Sequence, residues 1–192
     1  MTQEAFRLVR SFVDVGTFRA EIEAYGAAWS EARAKAISYH THTRAIHLRR
    51  EIVPPGGTAF DCETEAETED YARFPRLTAF LEQFALEEGA ELARATIVAL
   101  EPSRKVYRHS DPGLYYARSD RYHLVVQSEG GTLFYCGGEE RIWREGEVWW
   151  FDNKRDHEAR NLSDTAERIH VIFDLRPRSW RAKVRKIVSM LR

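Results

Sequence analysis

Hydrophobic patterning divides the chain into two textures that meet near residue 90. In the first, apolar residues recur at helical spacing: Phe18, Ile22, Tyr25 and Trp29 stand three to four residues apart. That is the period of one amphipathic helix over 17–36, or of two short ones broken near Gly26. A second helix is predicted to open at Pro75, carry Leu77, Phe80, Leu81 and Phe84 on one face, and end at Gly89. Between them, His40 to Arg49 reads as a strand, and Pro54-Pro55-Gly56-Gly57 breaks the chain after it. The run Asp61 to Asp70 (DCETEAETED) has six acidic residues in ten, which is poor material for burial and reads as a solvated loop rather than a lid.

After Glu91, short runs rich in Val, Ile, Phe, Tyr and Trp alternate with turn residues. The predicted strands are Ala95 to Leu100, Val106 to Asp111, Arg121 to Gln127, Thr132 to Tyr135, Glu139 to Trp143, Val148 to Asp152 and Arg168 to Leu175. Gly130-Gly131, Gly137-Gly138 and Glu145-Gly146 fall between them as turns. The last piece, Ser179 to Arg192, places Trp180, Val184, Ile187, Val188 and Leu191 on one helical face with basic residues around it, a helix expected to dock on its own domain. The expectation is one mainly β domain with an α flank: an antiparallel jelly roll over 91–177, helices and first strands over 1–90, and a C-terminal helix over 178–192.

Composition narrows the partners. The chain has 192 residues, 43% of them hydrophobic and 31% charged, and its 29 basic and 30 acidic residues nearly cancel. It is long enough to bury a core, and it carries no global field to attract nucleic acid or an anionic membrane. A small-molecule or peptide partner is expected. Cys62 and Cys136 have no zinc-finger or CxxC spacing, the first ten residues lack the apolar core of a signal peptide, and no segment approaches bilayer length. A reducing, cytoplasmic location is therefore the expectation.

Candidate chemistry lies in three pairs two residues apart: His109 and Asp111, Arg121 and His123, Arg168 and His170. On strands, each pair points to one face. His157, 48 residues beyond His109, completes a 2-His-1-carboxylate set suited to Fe(II) with open coordination positions. If all three pairs face inward, two arginines line the same cavity, and buried arginine requires an anion, which a dicarboxylate such as 2-oxoglutarate would supply twice. The alternative is ordinary ion pairing, of Arg121 with Asp120 or Glu129 and of Arg168 with Glu167 or Asp174. His40 and His42, without a nearby acid, read as surface or strand-pairing residues.

Together the segments Leu100 to His109 (LEPSRKVYRH), Arg121-Tyr122-His123, Gly146 to Asn161 (GEVWWFDNKRDHEARN) and Arg168 to Asp174 (RIHVIFD) resemble the aspartyl/asparaginyl beta-hydroxylase family of Fe(II)/2-oxoglutarate dioxygenases. The resemblance implies a cupin-like double-stranded β-helix. It implies iron bound by His109 and His157, 2-oxoglutarate contacted by Arg121 and His123, and a salt bridge from Arg168 to its far carboxylate. The animal aspartyl hydroxylases carry glycine where Asp111 stands, so the full triad is more similar to the free-proline cis-4-hydroxylases, and Val98 stands where those animal enzymes have a serine. With Fe(II), 2-oxoglutarate and O2, such an enzyme hydroxylates an unactivated C–H, here of a free amino acid, a small carboxylate or a peptidyl Asp or Asn. Tyr115, Tyr116, Arg118, Trp150, His47 and Arg49 are the candidate substrate walls. Two other classes stay open: a non-catalytic 2-oxoglutarate or metal sensor, and a metal-dependent hydrolase or isomerase using Asp152, Asp156 or Glu158 as base.

Overall fold

The computed structural model describes residues 4–26, 28–53, 55–56 and 64–178; the expected C-terminal helix over 179–192 and the first part of the acidic run lie outside them. The strands are β1 (Phe6–Arg10), β2 (Thr43–Glu51), β3 (Glu65–Glu67), β4 (Ala90–Leu100), β5 (Lys105–His109), β6 (Asp120–Gln127), β7 (Thr132–Cys136), β8 (Glu139–Trp143), β9 (Val148–Phe151), β10 (His157–Asn161) and β11 (Arg168–Pro177). They form two antiparallel sheets, a major one in the order β1-β9-β6-β11-β4-β2-β3 and a minor one in the order β5-β10-β7-β8. The α-helices among the described residues are α1 (Gly16–Glu23), α2 (Ala32–Ala36), α3 (Pro75–Glu87) and α4 (Leu114–Ala117). None of these helices is long and apolar enough to cross a membrane.

Strand alternation sorts the side chains between the two faces of the major sheet. Tyr122, Leu124 and Val126 of β6 and Ile169, Val171 and Phe173 of β11 face α1 and α3, where they pack with Phe18, Ile22, Leu77, Leu81 and Phe84. Arg121, His123 and Val125, with Arg168, His170 and Ile172, alternate with them and face the minor sheet. There Phe134, Trp143, Phe151 and Ala159 form a second core. Helix α3 starts at Pro75 and stops just before Gly89, whose φ of +64° closes it as the spacing predicts.

The N-terminal helical run is two short helices, α1 and α2, the second of the two forms its spacing allows. Four local expectations are corrected. Ser38–His40 is a short 3-10 turn, so β2 begins at Thr43 and His40 is not on a strand. Strand β5 ends at His109, which leaves Asp111 in the following loop. His157 opens β10, a strand outside the predicted set. The acidic run, where described, contains edge strand β3 paired with β2, because its carboxylates are neutralised: Glu65 meets Arg176 at 2.5 Å and Glu67 meets Arg49 at 3.2 Å.

Candidate metal centre

Strands β5 and β10 pair so that His109 and His157 are direct cross-strand partners, with ring centroids 4.2 Å apart. Each ring sets Nδ1 against a backbone carbonyl, that of Tyr107 at 2.7 Å for His109 and that of Arg155 at 2.9 Å for His157. A carbonyl only accepts, so Nδ1 carries the proton and Nε2 offers its lone pair outward. Tyr39 stacks on His109 with centroids 4.0 Å apart and fixes the plane of the ring. Burial pulls the pKa of His157 down to about 4, which keeps that imidazole neutral and ready to ligate.

Asp111 arrives by a different route. Its loop is tied to the loop after β9 by an Asp111 N–H donated to the Asn153 carbonyl at 2.9 Å. Its Oδ2 accepts from Arg121 Nη1 at 2.6 Å and from Asn153 Nδ2 at 2.9 Å. Burial works against ionisation here, but the Arg121 guanidinium and the Asn153 amide oppose it and hold the carboxyl below the usual carboxylate range. Ligand atoms of His109, Asp111 and His157 all lie within 4.8 Å of one another. Two imidazoles and one carboxylate brought together form a face suited to a divalent metal.

Against His109 and His157 lies a narrow slot between the sheets, lined also by Val98, Arg121, His123, Phe134, Ile172 and Arg168. Arg168 is 1% exposed and has no carboxylate partner among the described residues. Its Nη1 lies 3.0 Å from His170 Nδ1, and its Nε is buried without any hydrogen bond. Burial alone pulls its pKa down to about 9, far below that of a free guanidinium. A buried cation in this condition requires an anion in the slot. Arg121 differs: its Nε and Nη2 grip Asp174 at 2.8 and 2.9 Å, and with the Asp111 contact its charge is matched twice. Neither arginine forms the surface pairs that sequence neighbours offered.

Beside Asp111 and Arg121 opens a wider cavity of about 330 Å³, to which His47, Arg49, Arg94, Thr96, Tyr39 and Tyr116 contribute. Of the candidate substrate walls, His47, Arg49 and Tyr116 therefore line it. Tyr115 sits behind, donating its hydroxyl to Asp174 Oδ2 at 3.0 Å. Trp150 lies on the helix-facing side of the major sheet, where its Nε1 donates to Asp120, and Arg118 ends α4 away from the lining of either cavity. The candidate bases of a hydrolase are also displaced: Asp152 pairs with Arg155, Glu158 points away from His157 toward Lys105, and Asp156 is exposed.

Sequence reasoning missed Asn153, Asp174 as the partner of Arg121, and Tyr39. Asp174 and Asn153 had a signal, since both lie in segments that carry the family resemblance, and Tyr39 had none.

Similarity to known proteins agrees with this geometry. The family model described as aspartyl/asparaginyl beta-hydroxylase matches residues 17–177. The chain belongs to this family. A mouse protein named aspartyl/asparaginyl beta-hydroxylase is 31% identical over 85 residues, which are 44% of this chain and 11% of the mouse protein. The chain thus spans a small part of that relative. Among solved structures, a viral collagen prolyl hydroxylase from Paramecium bursaria Chlorella virus-1, in complex with 2-oxoglutarate, aligns over 90% of this chain and 96% of its own at a TM-score of 0.51 and 12% identity. An oxidoreductase of the 2-oxoglutarate-Fe(II) oxygenase family from Burkholderia pseudomallei aligns over 92% and 96% at a TM-score of 0.50 and 11% identity. At these identities the two structures establish the shared jelly-roll fold, as the strand pattern predicts.

Proposed function

We propose that the chain is an Fe(II)- and 2-oxoglutarate-dependent hydroxylase acting on an unactivated C–H of a free amino acid, a small carboxylate or a peptidyl Asp or Asn. The observation that carries this reading is Arg168, a buried cation with no carboxylate partner among the described residues, which lines the same slot as His109 and His157, the two histidines grouped with Asp111. Charge balance supports it. Asp111 and Asp174 cancel Arg121 and Arg168, so a divalent cation and a dicarboxylate dianion enter together without leaving net charge buried.

The fit assigns His109 and His157 through Nε2, and Asp111 through the oxygen not held by Arg121, as iron ligands. Iron held there supplies oxidative decarboxylation of 2-oxoglutarate, with one atom of O2 ending in succinate and the other in the hydroxylated product. The protein's own work is placement and exclusion. Arg168 takes the far carboxylate of the cosubstrate, for which a planar guanidinium is suited. His123 and the apolar side chains of Val98, Phe134 and Ile172 fix the width of the slot and keep water out. The wider cavity adjoins Asp111, has a volume suited to a small ligand, and carries charges of both signs through Arg49, Arg94 and Glu51. Those charges favour small ionic substrates over long peptides.

The test is succinate formation that requires both Fe(II) and 2-oxoglutarate. A screen of amino acids and short Asp- or Asn-containing peptides should find a compound that raises the rate and gains the mass of one oxygen atom. Metal and 2-oxoglutarate binding without any succinate would favour the sensor reading instead.

A further inference from the structure

Arg121 occupies the position whose family role is contact with 2-oxoglutarate, yet in this chain its strongest partners are protein carboxylates. Four groups stand in a buried row: the Tyr115 hydroxyl donates to Asp174 Oδ2 at 3.0 Å, Asp174 takes Nε and Nη2 of Arg121 in a two-bonded fork, and Arg121 Nη1 reaches Asp111 Oδ2 at 2.6 Å. Tyr115, Arg121, Asp111 and Asp174 are each at most 7% exposed. Asn153, fully buried, donates to the same Asp111 oxygen. Asp111 Oδ2 thus holds two donors, and the other oxygen is left for a metal. The Tyr116 ring lies under the guanidinium, 4.8 Å from its centre, and limits its sideways movement.

We infer that Asp174 and Tyr115 are positioning residues for the metal centre: through Arg121 they hold Asp111 so that one oxygen faces the metal. The inference rests on reading His109, Asp111 and His157 as a metal site. The row explains two features at once. Asp111 is not on a strand, so nothing in the sheet fixes its side chain, and a carboxylate on a loop needs outside support to keep one orientation. Among the described residues Asp174 has no other partner: it is buried on β11 between β6 and β4, and its two oxygens are used by Arg121 and Tyr115.

The experiment is titration of the metal-free protein with Co(II), whose visible bands report ligand geometry, on wild type, Asp174→Asn, Tyr115→Phe, Asp111→Ala, the Asp174→Asn/Asp111→Ala double variant and His109→Ala. Asp174→Asn should weaken Co(II) binding about 10- to 100-fold and alter its bands, the scale usual for outer partners of metal ligands. Tyr115→Phe, which removes one hydroxyl and disturbs the fold least, should weaken it several-fold. In the Asp111→Ala background, Asp174→Asn should have no further effect, because its action passes through Asp111. Wild-type affinity and bands in both Asp174→Asn and Tyr115→Phe would overturn the inference, as would an equal loss with and without Asp111. Absence of Co(II) binding by wild type, or undiminished binding by His109→Ala, would instead overturn the metal reading itself.

Discussion

Replacing Arg168 with methionine should stabilise the metal-free protein while removing its affinity for 2-oxoglutarate. Arg168 is 1% exposed, its Nε is buried without a hydrogen bond, and its hydrogen-bond contact among the described residues is His170 Nδ1 at 3.0 Å. Methionine has nearly the same length and no charge. Exchanging buried ions for apolar side chains often stabilises by about 1–4 kcal/mol. Loss of the contact with His170 offsets about 0.5–1.5 kcal/mol of that, so a net gain of about 1.5 kcal/mol, and at most about 3.5 kcal/mol, is expected in urea unfolding of the metal-free protein. Binding goes the other way. Breaking a buried pair by removing one partner costs about 3–5 kcal/mol, which corresponds to roughly 10²- to 10⁴-fold weaker 2-oxoglutarate binding by calorimetry with Mn(II) present. Arg168→Lys, which keeps charge but not the two-bonded fork, should fall between. If Arg168→Met is less stable than wild type and binds 2-oxoglutarate equally well, Arg168 is a structural residue and the slot does not hold a dicarboxylate.

Two further outcomes follow from burial and backbone geometry. His157 has a pKa near 4 and His170 one well below its ordinary value, in both cases chiefly through burial, so below about pH 6.5 the unfolded chain takes up protons that the folded core refuses. Stability of the metal-free protein should therefore fall as pH drops from 7.5 to 5.5, by about 1 kcal/mol through His157 alone and further through His170, and His170→Gln should reduce that fall; equal urea midpoints at the two pH values would contradict it. At Gly146, φ is +76° and an added Cβ would stand 2.8 Å from the Val13 carbonyl oxygen, a backbone atom that accepts no easy shift. Gly146→Ala should lower stability by at least about 1–3 kcal/mol, and a thermal midpoint within error of wild type would refute the assigned turn.

Much of the fold was legible because the strands of the second half are bounded by glycine turns and alternate cleanly. Strand β8 has the predicted limits, Glu139 to Trp143, and β6 and β11 differ from prediction by one or two residues at their ends. What alternation could not reveal were strands whose register comes from neighbours. His157 to Asn161 has a single aliphatic residue, Ala159, and is a strand because β5 and β7 flank it on both sides. Phe6 to Arg10 is held by pairing with β9, and β3 by ion pairs to Arg49 and Arg176. At the site, spacing brought out Arg121 and Arg168 as inward arginines but did not distinguish their environments. Asp174, 53 residues from Arg121, reaches it because β11 and β6 pair with those two residues in register. Among the described residues, one arginine thus has two carboxylates and the other none. Asp111 was found by its spacing from His109, though the reason it serves is the loop contact with Asn153 and not a shared strand face.

The central claim is that His109, Asp111 and His157 hold Fe(II) in a position where 2-oxoglutarate can chelate it while Arg168 holds the far carboxylate. The most direct measurement is an anaerobic titration of the Fe(II)-loaded protein with 2-oxoglutarate, followed by visible absorption. Wild type should develop a weak charge-transfer band that saturates with one equivalent of 2-oxoglutarate, and His109→Ala should develop none. A wild-type protein without the band, or a His109→Ala variant that keeps it, would contradict the account.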